Sequence, residues 1–427
     1  DSLFPFATAL ANTTPCPYSI EIFDHKYLSL VKASGYPVTD FGPRSGVLLA
    51  TYDGSSEEII DGARHLERLI HLYGGREREG AEEEWQQRFN ILRVRRVAPS
   101  LVPSSVVVPL DRMERFYSRL EKLSKRTIGL VGHVVSQSEC YLMPMLVTDE
   151  VRAMEYTLAL HTPRELSNLA LSLGGKPGGG IGVWNAPYKG QLLGEAAMEI
   201  KRVKDELDPR RIMNPGMWLE PPLLFRPRAY QLVMGIADKL DRVFPGRIGN
   251  AHKEGLEEEI SSCVQCGYCM NSCPTKQVWL SSTPRGRILM AKELFLDRRH
   301  GEQAVAEEYI GRIFQCTLCG RCRVDCNVDI RSPQMWFSLR SRLAEIGFGI
   351  EGLEGLTKTV EETHNIAARP NERRGDWASR LRLSHALEVK RRAETVYFVG
   401  CLTSFFPMTQ PAARALAQIM DVAGIDF

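Results

Sequence analysis

Apolar positions along this chain follow two rhythms. VLLATY (47–52), SVVVPL (105–110), TIGLVGHVV (127–135) and CYLMPMLV (140–147) are short and rich in branched residues, which predicts strands, the last two as a hairpin. The stretch SSEEIIDGARHLERLIHLYGG instead repeats at helical spacing, with Ile59, Ala63, Leu66 and Ile70 on one stripe. Ser55 and Glu58 form its capping box, and Gly74–Gly75 end it. DRMERFYSRLEKLSK predicts a second helix, and 191–207 a third, with Leu193, Ala197, Ile200 and Leu207 in line before Asp208–Pro209. Strands with helices between them predict an α+β domain over residues 1–222, one antiparallel sheet with helices on one face.

Beyond residue 222 the strand rhythm stops and cysteine takes over. Eight of the eleven cysteines lie between 263 and 326, in two copies of C-x2-C-x2-C-x3-C: CVQCGYCMNSCP and CTLCGRCRVDCN. Three thiolates spaced by two residues can hold three corners of a cubane from one loop, and in two-cluster chains the fourth cysteine of each run ligates the other cluster. Cys263, Cys266, Cys269 and Cys326 are therefore the expected ligands of one [4Fe-4S] cluster, and Cys316, Cys319, Cys322 and Cys273 of a second. Asn327 stands where Pro274 closes the first run. Four thiolates also suit tetrahedral zinc. Between the runs, Thr283 and Pro284 offer an N-cap and first-turn pair for a helix carrying Ile288, Ala291, Leu294 and Leu296. The region 223–348 is thus expected to be all-α.

After it, 333–347 reads as a short amphipathic helix, 349–394 as a polar linker, and 395–427 as a strand, a cysteine (Cys401), a helix and the start of another strand. Such a half-unit cannot bury its own apolar face.

Composition narrows the classes. At 427 residues, 44% hydrophobic and 25% charged, the chain has material for two or three globular domains. No apolar run approaches the ~18 residues of a membrane span, no secretory leader is visible at DSLFPFATAL, and clustered cysteines of this spacing imply a reducing compartment. A cytoplasmic location, with membrane association only through partners, is expected. A net charge of +2 is too small for a nucleic-acid binder, although 369–392 is locally basic. The stretch LGGKPGGGIGVWN (173–185) holds six glycines but has neither a G-x-G-x-x-G register nor a Gly-Lys-Ser/Thr ending, so it is no phosphate loop.

Several blocks carry family resemblances. CxxCGxC, TPRGR and CxxCGRC resemble the helical ferredoxin domains of succinate dehydrogenase and glycolate oxidase iron–sulfur subunits. In order, IEIFDHKYL, EEEWQQRF, VVVPL, GHVVSQSEC and LDPRRIMNPGMW resemble the C-terminal domain of FAD-linked oxidases, the glycolate oxidase and D-lactate dehydrogenase family. TVYFVGC resembles the opening of the cysteine-rich CCG domain of heterodisulfide reductase and glycolate oxidase iron–sulfur subunits, which makes Cys401 a candidate ligand of a further cluster.

The resemblance implies a cap (1–222) over the substrate side of a flavin, a two-cluster domain (223–348), and the beginning of a CCG domain (395–427). It makes Arg88 a candidate anchor for a substrate carboxylate, and Gly180, Gly182, Asn214, Pro215 and Gly216 candidate neighbours of the flavin. The family's metal-binding and catalytic motifs are altered. His133 persists, Cys140 stands in place of a second histidine, and Gly178–Gly179 replace the Glu–His pair whose histidine is the base. His133 and Cys140 remain a candidate metal pair. No FAD-binding N-terminal domain precedes the cap in this sequence, so FAD is expected from a partner chain.

The implied function is an electron-transfer subunit in a hetero-oligomeric, flavin-dependent oxidoreductase. It would pass electrons between that flavin and a CCG-cluster, quinone-linked or heterodisulfide-reductase-like partner. The alternatives are an active D-2-hydroxy-acid (lactate or glycolate) dehydrogenase subunit, and a degenerate scaffold around the electron wire.

Overall fold

The computed structural model describes residues 2–427 apart from 36–43, 80–81, 83–84, 86–87, 99, 103, 124–125, 150–152, 179–184, 216–226, 244–254, 296–306, 351, 380 and 384–391. It divides into two compact units, 1–339 and 340–427.

The first unit opens with an antiparallel sheet. Its strands are β1 (Ser19–Phe23), β2 (Val47–Thr51), β3 (Ser100–Val102), β4 (Val106–Pro109), β5 (Ile128–Val134), β6 (Glu139–Thr148) and β7 (Lys176–Pro177), ordered β2-β1-β5-β6-β4-β7 with β3 pairing to β6. The hairpin expected at 127–147 is the β5–β6 pair, in the register Val134↔Cys140 to Ile128↔Leu146. β1, β3 and β7 are additional to the strands predicted from apolar runs. β3 is only three residues, β7 only two at the sheet's edge, and β1 has its apolar run interrupted by Glu21.

The sheet is covered on both faces rather than one. Alternation sends Ile20, Ile22, Leu130, Cys140 and Leu142 to one side, where they meet Phe4, Leu10, Phe116 and Leu166 from the helices Leu3–Ala11, Met113–Leu123 and Thr162–Ser172. Phe23, Val131, Met145 and Val147 point the other way, against Tyr27 and Leu30 of the helix His25–Ala33 and Val94 of the 3-10 helix Arg88–Arg96. Full burial of one such side chain contributes roughly 1.5–3 kcal/mol, so both faces are committed. Asp24 joins them: its buried carboxylate accepts from Tyr27 N (2.8 Å), capping the helix, from Leu130 N of β5 (2.7 Å), and from Tyr117 Oη (3.0 Å).

The helix Ser56–Tyr73 has the expected capping box and ends at Gly74 in the left-handed region. The helix expected over 191–207 is broken instead, into Lys189–Leu193 and Ala196–Leu207, at Gly194 (φ 54°). From 227 to 339 the described residues are helical, without strands. Glu259, on the helix Leu256–Ser262, ties this part to the sheet part. Its buried carboxylate receives both Arg96 guanidinium nitrogens at 2.9 Å and Arg331 N and Nε at 2.9 and 2.8 Å. Arg96 also donates to Val328 O (3.0 Å) and Asp329 O, and Arg95 to Ser261 O (3.1 Å). Burial alone would push the Glu259 carboxyl up, but the bonds from Arg96 and Arg331 outweigh it and hold its pKa below the usual range.

In the second unit, part of the stretch read as linker is structured. Leu353–Thr363 is a helix, and Asn371–Ala378 a 3-10 helix whose Trp377 packs with Ala413 and Ala417 of the helix Gln410–Val422. The strand expected at 395–399 has no ladder partner among the described residues beyond one Thr395 N to Asp426 O bond (3.0 Å). Its alternation survives all the same: Tyr397 and Val399 pack inward, whereas Val396 and Phe398 are exposed.

Removing one partner of a buried ion pair costs roughly 3–5 kcal/mol, so Arg96→Met is expected to lower the thermal unfolding midpoint markedly. Because the folded pKa of Glu259 is depressed, its contribution is complete at neutral pH and is lost as pH falls through that pKa. The difference in midpoint between wild type and Glu259→Gln should therefore be constant from about pH 8 to 6 and shrink below the ordinary glutamate range near ~4.3. Calorimetry across pH measures both.

Candidate functional site

The two cysteine runs are built on one backbone shape. The second spacer residue of each is left-handed, Gln265 at φ 56° and Leu318 at φ 56°, and so is each following glycine, Gly267 at φ 90° and Gly320 at φ 75°. Two reversals within five residues curl each loop tightly. Glycine is the residue that adopts the second reversal without strain. Backbone N–H groups point at sulfur, Leu318 N to Cys316 Sγ and Ile330 N to Cys326 Sγ, both at 3.4 Å.

The runs also converge. Burial pushes the Cys269 thiol up to about 12, helped by Cys263, Cys322, Cys326 and Cys266 nearby. Burial likewise raises Cys263, beside Cys326 and Cys266, and Cys326, beside Cys266. Cys263, Cys266, Cys269 and Cys326 therefore share one electrostatic neighbourhood, although Cys326 belongs to the second run. Cys322 reaches the same neighbourhood through Cys269 and contacts Ser332 Oγ at 3.0 Å. Cys273 lies instead against Thr275 Oγ1 (3.4 Å) and the guanidinium of Arg287 (3.9 Å). Cys319 is exposed, and its thiol is held below its ordinary value first by the Arg321 backbone N–H.

Among the described residues no group of three or more His, Cys, Asp or Glu side chains gathers around a single ion position. A cubane spreads its thiolates over separate irons, and the all-sulfur donor set with N–H groups aimed at it suits such a cluster.

The TPRGR segment supports this region. Thr283 Oγ1 accepts from Gly286 N (3.2 Å), forming the expected N-cap of the helix Pro284–Phe295. A side chain at Gly286 would come within 2.0 Å of Leu280 O, so glycine here lets the helix start press against the preceding turn.

In the cap, the register of β5 and β6 separates the candidate metal pair. Cys140 faces Val134 across the strands and lies in the Ile22–Leu130 core, whereas His133 faces Tyr141 and Glu21 on the opposite surface. They cannot share a metal. Burial pushes the Cys140 thiol up to about 12, as expected of a packed, unreactive thiol.

His133 joins a group that the sequence pattern does not announce. Glu21, buried in β1, lies 3.7 Å from His133 Nδ1 and 3.8 Å from Arg88 Nε. Arg88 also donates to Trp85 O and stacks on the Trp85 ring, 3.3 Å from its centroid. The candidate carboxylate anchor thus already faces a carboxylate of its own chain. A single acid between Ile20 and Ile22 of the strand SIEIF was the available signal.

Of the glycine loop, Gly180 and Gly182 lie outside the described residues, as does Gly216. Gly178 is described and tightly enclosed: its N–H bonds Ser105 O (2.9 Å), its carbonyl accepts from Asn185 Nδ2 (2.7 Å), and an added Cβ would meet Ser105 Oγ at 2.9 Å and Tyr141 at 3.0 Å. Asn214 (φ 47°) and Pro215 are exposed at the turn held by Asp208, which accepts from Ile212 N and Met213 N, both at 3.0 Å. In the second unit, Cys401 Sγ receives both terminal nitrogens of Arg374 at 3.5 Å. These bonds hold its thiol below the ordinary value.

Taken with the cysteine loops, the cap defines an oxidoreductase-family iron–sulfur protein. Residues 1–218 match the family of FAD linked oxidases, C-terminal domain, and residues 259–330 match the 4Fe-4S dicluster domain, which decides against zinc. The first match covers just over half of the chain, which belongs to the FAD linked oxidase C-terminal domain family. One subunit of the dihydromethanophenazine:CoB--CoM heterodisulfide reductase of Methanosarcina mazei is 26% identical over 184 residues, 40% of this chain and 43% of that protein. Its counterpart in Methanosarcina acetivorans is 27% identical over 184 residues, with the same coverage. The chain thus spans less than half the length of these curated relatives.

Restoring the family's glutamate, Gly178→Glu, is expected to destabilise the cap rather than restore oxidation of 2-hydroxy acids. Thermal unfolding and a lactate or glycolate oxidation assay test this; a stable variant that oxidised either acid would contradict the packing.

Proposed function

We propose that this chain is the electron-transfer subunit of a hetero-oligomeric, flavin-dependent oxidoreductase. Cys263, Cys266, Cys269 and Cys326 would hold one [4Fe-4S] cluster and Cys316, Cys319, Cys322 and Cys273 the other. The cap would cover FAD bound largely by a partner chain. When bound, these groups supply two-electron to one-electron conversion and single-electron conduction.

The chain's own residues do the positioning. The ligand loops are curled by paired backbone reversals, Arg96 and Glu259 fix the cap to the segment following Cys326, and Gly286 lets the helix start press against the turn at Leu280. The observation that carries the reading is the pair of four-cysteine runs with matched backbone reversals, inside a segment similar to the 4Fe-4S dicluster domain.

At the far end, a CCG-cluster, quinone-linked or heterodisulfide-reductase-like partner exchanges electrons, with Cys401 the candidate ligand of a further cluster. The Methanosarcina relatives, named as heterodisulfide reductase subunits, support that partner class. An independent dehydrogenase activity is disfavoured: Gly178 carries no base, and Arg88 already faces Glu21.

Anaerobic purification of the native complex should give about eight iron atoms per chain together with flavin on a co-purifying polypeptide. Cys266→Ser should lower iron to about four per chain or fewer. A complex without flavin absorbance would remove the donor from this scheme, and lactate- or glycolate-dependent bleaching of flavin by this chain alone would favour the dehydrogenase.

A further inference from the structure

Arg287 is among the most deeply buried side chains of the first unit, 1% exposed, and carries a permanent charge. Its guanidinium is fixed at three points: Nε donates to Arg312 O (2.8 Å), Nη2 to Thr275 Oγ1 (3.0 Å), and Nη1 points at Cys273 Sγ (3.9 Å). None of these partners is a carboxylate, and among the described residues no acid forms an ion pair with it. A buried cation without a counter-charge is costly. Among the described residues, the group within reach that can neutralise it is the Cys273 sulfur, once that sulfur is a thiolate bound to iron.

Its placement depends on the local packing already described. Gly286 lets the helix start close onto the turn at Leu280, and the next residue, Arg287, is thereby driven inward toward Thr275 and Cys273. The opposite choice, a hydrophobic residue in this slot, would fill the volume without demanding a compensating charge.

We infer that Arg287 is the positioning residue that sets the reduction potential of the cluster ligated by Cys273. This rests on the two-cluster reading proposed above. A thiolate-ligated cubane is an anion and becomes more negative on reduction. A fixed cation with an N–H aimed at one ligand sulfur therefore stabilises the reduced state more than the oxidised one and raises the potential. Thr275 and the Arg312 carbonyl hold the fork in place beside Cys273.

The test is an EPR-monitored redox titration of the cluster-loaded chain in wild type, Arg287→Lys and Arg287→Gln, with Cys319→Ser and Cys266→Ser identifying which signal belongs to which run. Arg287→Gln is expected to change the reduced-to-oxidised ratio of one cluster by about tenfold toward oxidised at fixed ambient potential, about 59 mV for a one-electron couple. Arg287→Lys, which keeps the charge, should recover most of it, and the potential of the other cluster should stay where it is. The responding signal should be the one altered by Cys319→Ser. A shift confined to the signal altered by Cys266→Ser would keep the role of Arg287 and overturn the crossed ligation; potentials unchanged in both variants would overturn the role itself.

Should Arg287→Gln fail to load iron, wild type labelled with 15N-arginine decides. Nitrogen hyperfine coupling to one reduced cluster, lost in Arg287→Lys, supports the contact, and no coupling in wild type refutes it.

Discussion

The first unit is organised around one buried carboxylate. Glu259 sits on the short helix that leads into the first cysteine run, receives the fork of Arg96 from the cap, and receives Arg331 from the segment that follows the second run. Three stretches far apart in sequence are thereby fixed to one point, and two of them flank ligand loops. Apolar contact alone would allow these pieces to slide. A bidentate pair in a low-dielectric site does not, because any displacement leaves a charge without its partner. The side of the ligand loops that carries Cys326 is therefore held in place by the cap.

Much of this was legible in the sequence. The strands β2, β4, β5 and β6 follow from runs of branched residues, and the capped helix Ser56–Tyr73 from its serine, glutamate and terminal glycines. The cysteine spacing identified the chemistry without help from structure. What escaped were features in which a residue does something its local pattern does not announce. β7 is too short to have a period. The second covered face of the sheet arises because Phe23, Val131 and Val147 each belong to a strand already explained by its other face. The pairing of His133 with Cys140 is reasonable as spacing and fails on pleat: the hairpin register sends the two side chains to opposite surfaces. Glu21, Glu259 and Arg287 are charged residues inside apolar surroundings, and only tertiary contact distinguishes them from surface charges.

Where relatives carry a glutamate and a base, Gly178 is closed in by Ser105 and Tyr141. Arg88, the candidate carboxylate anchor, faces a carboxylate supplied by its own sheet. Both contacts are internal to the cap and favour packing at these two positions.

The two ligand loops share their reversals residue for residue, left-handed at Gln265 and Gly267 and again at Leu318 and Gly320. One backbone shape therefore serves both runs, and Cys326 of the later run lies near Cys266 of the earlier one. Under the crossed ligation proposed above, iron taken up at one copy engages a sulfur of the other, so losing a ligand from one run is felt at both sites.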